Sequence, residues 1–401
     1  MAPDFSNTAR AFAHLSDGEL RKALFLFRIV GAPLAVRAGK MLLRWALFLR
    51  LPVAWALRPT VFAHFCGGET IAGSEPTVAR LARGGVHTIL DYSAEGKDDE
   101  ADLDAARDEV LAVLRAVRGD DRHAFAVFKV SGVASTHLLE AVSRGLAEDP
   151  GDPLRYLATG EERAAWERVE GRVADLCSTA AASRIRILID AEESWIQPAI
   201  DLLAEGRMAA HNRDAAWVFT TVQLYRHDRL SYLAALGARA DAAGFHVGVK
   251  LVRGAYMEKE RARAAALGYP DPIQPDKAAT DRDFDAALRW CIGRLDRTAL
   301  VAGTHNEASS ALLCALMADA GTAADDARVW FAQLLGMSDT ISFNLAADGY
   351  RVAKYVPYGP LRETVPYLIR RAEENTSVAG QTSRELELLR HEHRRRQKIN
   401  H

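Results

Sequence analysis

The stretch from residue 217 to residue 252 reads WVFTTVQLYRHDRLSYLAALGARADAAGFHVGVKLV and sets the pattern for most of the chain. It begins with an apolar, β-branched run, WVFTTVQLY, and ends with another, HVGVKLV. Between them, RLSYLAALGARADAAG from Arg229 carries apolar side chains at helical spacing. A strand, a helix and a second strand in this order are typical of a parallel sheet built from βα units.

The same alternation, continued over about 300 residues, predicts an α/β fold with eight strands, a (β/α)8 TIM-like barrel. The predicted strands are HTILDYS from His87, AFAVFKV from Ala124, RIRILID from Arg184, WVFTTVQLY from Trp217, HVGVKLV from His246, ALVAGTHN from Ala299, VWFAQLL from Val329 and YRVAKYVP from Tyr350. Helical patterns such as ADLDAARDEVLAVLRAV from Ala101 and ASSALLCALMADA from Ala308 separate them. An open doubly wound sheet is the alternative, but no GxGxxG follows the first strand.

Composition narrows the class of protein. The 401 residues are 49% hydrophobic with a formal net charge of -2, which indicates a globular chain without the field needed to bind nucleic acid. The four cysteines, Cys66, Cys177, Cys291 and Cys314, are far apart and form no CxxC pair. They predict neither a metal site nor disulfides, and they favour a reducing, cytoplasmic compartment.

The N-terminal region from Lys22 to Arg58 is rich in Leu, Phe, Trp and Ala but is interrupted by basic residues every few positions. No run reaches the roughly 18 uncharged residues of a spanning helix. We interpret it as amphipathic helices, which either pack on the barrel or lie on an anionic membrane. The predicted domains are an N-terminal helical arm (1–84), the barrel (85–380) and a basic C-terminal tail (381–401).

In a barrel of this kind the C-terminal ends of the strands carry the chemistry. Polar residues end most of the predicted strands: Asp91, Glu95, Lys129, Asp190, Gln223, Lys250, Arg253, Thr304, His305 and Tyr355. The last barrel helix, LRETVPYLIRRAEENTS, adds Arg370 and Arg371, with Glu374 one turn later. Two adjacent guanidinium groups suit a carboxylate, although such residues also occur on solvated helix faces.

Five motifs closely resemble the proline dehydrogenase family, and they occur in its order and spacing. They are KLVRGAYMEKE from Lys250, GTHN from Gly303, FAQLLGM from Phe331, KYVPYGP from Lys354 and YLIRRAEEN from Tyr367. IDAEES from Ile189 and TVQLY from Thr221 match as well, so the resemblance extends from about His87 to Asn375. In having lysine at position 250, the chain resembles the monofunctional, eukaryotic-type branch of this family.

The resemblance implies a last helix lying over the barrel mouth, and it implies a site. Asp190, Lys250 and Tyr355 would be catalytic. The substrate would be bound by Lys129, Arg370 and Arg371 at its carboxylate, by Glu95 as partner of an arginine, and by Ala255, Tyr256, Leu334 and Tyr355 around its ring. FAD would be bound by Ala191, Gln223, Lys250, Val252, Arg253, Gly254, Thr304 and His305, with Glu374 as a further candidate.

The reaction implied is the oxidation of L-proline to Δ1-pyrroline-5-carboxylate by hydride transfer to flavin N5. A membrane quinone would then reoxidise the flavin, which gives the N-terminal arm a role in peripheral contact with the inner face of the membrane. A cationic pocket would also disfavour the substrate ammonium and so promote its deprotonation.

Three alternatives remain at this stage. The first is a 4-hydroxyproline dehydrogenase of the same family. The second is a Schiff-base lyase on the same barrel, with Lys129 or Lys250 as the amine. The third is a membrane-associated scaffold that has kept the barrel but not the reaction.

Overall fold

The computed structural model describes residues 3–30, 41, 45, 54–92, 99–377 and 381–399. Within them, eight parallel strands close into a barrel in chain order, which confirms the (β/α)8 prediction. The strands are β1 His87–Tyr92, β2 His123–Lys129, β3 Ile187–Asp190, β4 Val218–Gln223, β5 Val247–Val252, β6 Thr298–Gly303, β7 Val329–Leu334 and β8 Val352–Tyr358.

The strands lie where the apolar runs predicted them, with ends that differ by a few residues. The largest difference at the start of a strand concerns β3, which begins at Ile187 and not at Arg184. Arg184 has a φ of 54°, and the Ile185 N–H donates back to the Ala180 carbonyl at 2.9 Å. These two residues therefore close the preceding helix, Gly160–Ala182, and the chain becomes extended only afterwards.

Helices follow or flank every strand. The α-helices of eight or more residues are Asp17–Val30, Glu75–Arg83, Glu100–Val117, Thr136–Glu148, Gly160–Ala182, Gln197–His211, Arg229–Ala243, Met257–Leu267, Lys277–Ile292, Glu307–Asp319, Asp339–Ala347, Leu361–Ser377 and Gln381–Ile399. Several begin at a residue whose side chain accepts a hydrogen bond from a free N–H group, and Thr159 and Glu162 form a reciprocal capping box.

The chain divides into two compact units, Glu95–Phe331 and Met1–Ala94 with Ala332–His401. The first contains β2 to β6 and a core that includes the edge-to-face pair of Phe125 and Phe219, with ring centroids 5.3 Å apart. The second contains β1, β8 and both terminal segments.

In the second unit the two terminal helices pack against each other. Leu20, Leu24 and Phe27 of Asp17–Val30 form one buried cluster with Leu388 and Leu389 of Gln381–Ile399. None of the described helices combines the length and the low charge content needed to cross a lipid bilayer. The domain boundaries drawn from the sequence stay a prediction.

Candidate active site

Charged side chains meet at the strand ends of the unit Glu95–Phe331. Lys129 ends β2 and is the register partner of Asp190, which ends β3. Lys250, on β5, donates a hydrogen bond from its ammonium to Oδ1 of Asp190 at 2.5 Å. The side chains of Lys250 and Asp190 are 6% and 14% exposed, so this ion pair is largely shielded from water. Two of the residues predicted to be catalytic are therefore in direct contact.

A buried acid that the sequence analysis did not assign, Glu192, lies two residues after β3. Its backbone carbonyl accepts a hydrogen bond from Nε2 of the buried Gln223 at 2.6 Å. Burial raises the pKa of Glu192 to about 7, although Lys129 and Ser131 act to lower it. Ala191, between Asp190 and Glu192, is also buried. The signal for Glu192 in the sequence was an ionisable side chain just after a buried strand. The segment IDAEES contains three acids, however, and only the first, Asp190, was singled out.

Arg253 follows β5 and donates hydrogen bonds to three side chains. Its Nε donates to Asp281 at 2.6 Å, and its two terminal nitrogens donate to Thr304 at 2.7 Å and to Ser309 at 2.9 Å. Its guanidinium carbon also lies 4.4 Å from the centroid of the Phe284 ring. The sequence analysis missed Asp281 and Ser309, because neither lies near Arg253 in the chain.

Thr304 and His305 directly precede the capped N terminus of Glu307–Asp319. The Asn306 side chain caps this helix by accepting a hydrogen bond from the Ser309 N–H at 3.1 Å. The Thr304 hydroxyl accepts a hydrogen bond from the Asn306 N–H, also at 3.1 Å. A helix N terminus next to an arginine favours anionic ligands. Asn before a helical pattern is the signal that could have located this end from the sequence.

Packing inside the protein requires glycine at position 254. Its φ is 138°, and a Cβ added there would lie 2.3 Å from the ring of Tyr225. A side chain is therefore excluded at this position by Tyr225, whatever else approaches the backbone. After the half-buried Val252, Gly254 and Ala255 are exposed and Tyr256 is half-buried.

The other unit contains two of the four residues predicted to lie around the substrate ring. Leu334 ends β7 and is half-buried. Tyr355, on β8, is buried, and its backbone carbonyl accepts a hydrogen bond from the Leu335 N–H at 2.8 Å. These contacts keep the end of β7 against the middle of β8.

Lys354, the residue before Tyr355, is fully buried and stabilises the contact between β7 and β8. Its ammonium pairs with Asp339 at 2.8 Å and donates to the carbonyls of Leu334 and Met337. Burial alone would raise the pKa of Asp339, but the Lys354 charge holds it far below its usual range. The sequence analysis missed this lysine because its position in an apolar strand gave no indication of a partner.

The arginine pair lies on Leu361–Ser377, in agreement with the predicted helix. Arg371 is only 7% exposed, and its guanidinium carbon lies 5.0 Å from the centroid of the Tyr367 ring. Arg370 is half-buried. A solvated helix face therefore does not describe Arg371. Glu95 lies outside the described residues, as does the side chain of Glu374.

Comparisons with known proteins show which family this chain resembles. Residues 74–384 match a family model described as Proline dehydrogenase. The chain is 36% identical to the carbapenem antibiotics biosynthesis protein CarD of Pectobacterium carotovorum, over 83% of each chain. It is 32% identical to hydroxyproline dehydrogenase of Xenopus laevis, over 95% of this chain and 88% of that protein. Human mitochondrial proline dehydrogenase 1 is 40% identical over 59% of this chain and 40% of its own length.

Solved structures support the fold. Proline utilization A of Bdellovibrio bacteriovorus superposes with a TM-score of 0.67 at 17% identity, covering 80% of this chain and 33% of that much longer one.

Proposed function

The chain belongs to the proline dehydrogenase family, and from this premise we propose that it oxidises L-proline to Δ1-pyrroline-5-carboxylate with FAD as cofactor. It is an oxidoreductase of the proline and hydroxyproline dehydrogenase type. The observation that best supports the finer proposal is the shielded contact of Lys250 with Asp190 beside Lys129, at strand ends where barrel enzymes carry their chemistry.

The chain's own residues would bind and orient the substrate. Lys129, Arg370 and Arg371 would hold its carboxylate, because guanidinium and ammonium groups form strong charge-assisted hydrogen bonds with carboxylates. Clustered cations also disfavour a protonated substrate amine, which promotes loss of the proton that must leave before oxidation at C5. Tyr355 and Leu334, with Ala255 and Tyr256, would enclose the ring.

The donor groups present fit FAD. Arg253 uses three of its five N–H groups on described protein atoms. Its remaining donors and the N terminus of Glu307–Asp319 would hold the diphosphate. Gln223 and Lys250, with Ala191, Val252, Gly254, Thr304 and His305, are the further FAD-binding candidates. FAD, when bound, would supply the acceptor for the hydride from C5.

A hydroxyproline substrate is the second candidate. The relatives named hydroxyproline dehydrogenase from Xenopus laevis, cattle and human align over 94–96% of this chain at 32–34% identity. The buried Tyr355 favours proline, since a hydroxyl at C4 would meet an aromatic ring. The lyase alternative with Lys250 as the amine is disfavoured, because a Schiff base needs a neutral amine and Lys250 is ion-paired with Asp190.

A membrane quinone remains our proposal for the electron acceptor, with the N-terminal region in peripheral contact with the bilayer. Large apolar side chains there are exposed, among them Phe25 at 62% and Trp55 at 77%. Together with neighbouring basic residues they fit a surface that lies on anionic lipid.

An anaerobic titration tests the proposal. The purified protein, reconstituted with FAD, should lose its visible flavin absorbance when L-proline is added and keep it with D-proline. Acid precipitation should release the flavin, since we propose non-covalent binding. A flavin-loaded protein that L-proline does not reduce would overturn the proposed function, and reduction by trans-4-hydroxy-L-proline alone would support the second candidate.

A further inference from the structure

Glu192 joins three elements with its backbone and its side chain. Its N–H donates to Oε1 of Gln197 at 2.8 Å, and its carbonyl accepts from Gln223. One carboxylate oxygen accepts a hydrogen bond from the Ser131 N–H at 2.9 Å, and the other accepts from the Ser131 hydroxyl. The residue is only 4% exposed. Burying a carboxylate is costly unless charges or donors compensate it, so its surroundings must explain its presence.

The compensation comes from the end of β2. Ser131 lies in the turn Val130–Gly132, which begins directly after Lys129. The Lys129 ammonium lowers the pKa of Glu192, against burial and against the neighbouring Glu193, which both raise it. The carboxylate therefore fixes the backbone next to Lys129 and also interacts with the Lys129 charge.

We propose that Glu192 is a positioning residue for Lys129: by clamping Ser131 it fixes the turn after β2 and so holds the Lys129 ammonium where a substrate carboxylate binds. The inference rests on the proposed function, which assigns Lys129 to that carboxylate. The Glu192 carbonyl also accepts a hydrogen bond from Gln223, a proposed FAD-binding residue. Glu192 therefore links Lys129 to the proposed FAD site.

The chain contains a matched clamp that involves no residue assigned to the substrate carboxylate. Glu260 is fully buried, and its carboxylate accepts hydrogen bonds from the N–H and the hydroxyl of Ser194, both at 2.6 Å. Glu260→Ala removes the same kind of clamp as Glu192→Ala, and it serves as the control for a general loss of packing.

The experiment is a double-mutant cycle on steady-state kinetics with L-proline. Glu192→Ala should raise KM about tenfold with little change in kcat or FAD content, because a small misplacement of a binding group is costly. Glu192→Gln, whose amide can satisfy both Ser131 groups, should restore most of the KM. In a Lys129→Met background, Glu192→Ala should have no further effect on KM. Glu260→Ala should leave KM near that of the parent.

The pH dependence gives a readout that a purely structural role would not move. Above about pH 7 the Glu192 carboxylate is charged, and its hydrogen bonds to the Ser131 N–H and hydroxyl become charge-assisted, which the neutral amide of Glu192→Gln cannot reproduce. The ratio of the parent KM to the Glu192→Gln KM should therefore fall as the pH increases through that value.

Three results would separate the possible failures. A parent that L-proline does not reduce would overturn the proposed function and this inference with it. If Lys129→Met alone leaves KM unchanged, Lys129 has no role for Glu192 to support. If Glu192→Ala raises KM equally with and without Lys129, the positioning role is wrong. Should Glu192→Ala fail to fold, Ser131→Ala, which removes one hydrogen bond, should raise KM in the same Lys129-dependent way, and an unchanged KM would overturn the inference.

Discussion

Arg371 is a buried cation, only 7% exposed. Its guanidinium carbon lies 5.0 Å from the centroid of the Tyr367 ring, within the range of a cation–π contact. A guanidinium group can donate two parallel hydrogen bonds to a carboxylate. The family resemblance assigns Arg371 to the substrate carboxylate, and we keep that assignment as a proposal.

Arg371→Met should therefore raise KM for L-proline strongly, since loss of one partner of a buried charge pair costs about 2–5 kcal/mol. FAD content should change little. Arg370→Met should act in the same direction. Arg362→Met is the matched control, because Arg362 is exposed on the same helix. Kinetics of Arg371→Met equal to those of Arg362→Met would assign Arg371 to packing alone.

Tyr355 is expected to set the preference for L-proline over trans-4-hydroxy-L-proline. A hydroxyl enclosed without a hydrogen-bond partner costs roughly 1–3 kcal/mol, enough for tenfold selectivity or more. Tyr355→Ser should lower kcat/KM for proline and narrow the ratio between the two substrates. Tyr355→Phe, which keeps the ring, should preserve the ratio. A parent that prefers hydroxyproline, or a serine variant with the parent's ratio, contradicts this role.

The sequence predicted which residues end the strands, but it could not predict which of them touch. Asp190 and Lys250 were each recognisable as polar residues at the end of an apolar run. Their contact depends on the register of β3, β4 and β5, which no local pattern specifies. The partners of Arg253 were missed for the same reason, because Asp281 and Ser309 come from later helices.

At the level of elements, the apolar runs located all eight strands, while the C-terminal segment was predicted only as a basic tail. Gln381–Ile399 is a helix of 19 residues. Its polar composition hides the few apolar positions that pack, and its partner, Asp17–Val30, lies at the opposite end of the chain. A local pattern cannot reveal a helix that depends on so distant a partner.

Arg396 should contribute to holding these two helices together. Its guanidinium donates to the carbonyls of Phe12 and Leu15 and to the Asp17 carboxylate, at 2.7–2.9 Å. Arg396→Ala should lower the free energy of unfolding by about 1.5–3 kcal/mol, the range for hydrogen bonds to charged groups. Thermal and urea denaturation would measure this. Arg390→Ala, at an exposed position of the same helix, is the control, and equal stability of the two variants would refute the prediction.

At the level of the whole molecule, the helix Asp17–Val30 has two different faces. One face is buried against the C-terminal helix through Leu20, Leu24 and Phe27. On the other, Phe25 and Ile29 are exposed in a stripe with the basic residues Arg21, Lys22 and Arg28. Packing is therefore shown for one face, and the proposed contact with lipid concerns the exposed face.

A test of membrane contact should therefore change only exposed side chains, because truncation before about His64 would also remove the packed face. The parent should float with anionic liposomes, and Phe25→Ser combined with Trp55→Ser should weaken that partitioning more than tenfold. Burying one large apolar side chain contributes about 1.5–3 kcal/mol, so the loss of two such side chains should weaken partitioning by more than tenfold. Unfolding midpoints should stay close to those of the parent, since both residues are exposed.

Binding of the parent to liposomes should also fall at high salt and on neutral liposomes, where the basic residues contribute less. Equal flotation of parent and variant would leave the N-terminal helices a purely structural role and would remove the basis for placing the quinone-reducing enzyme at a membrane.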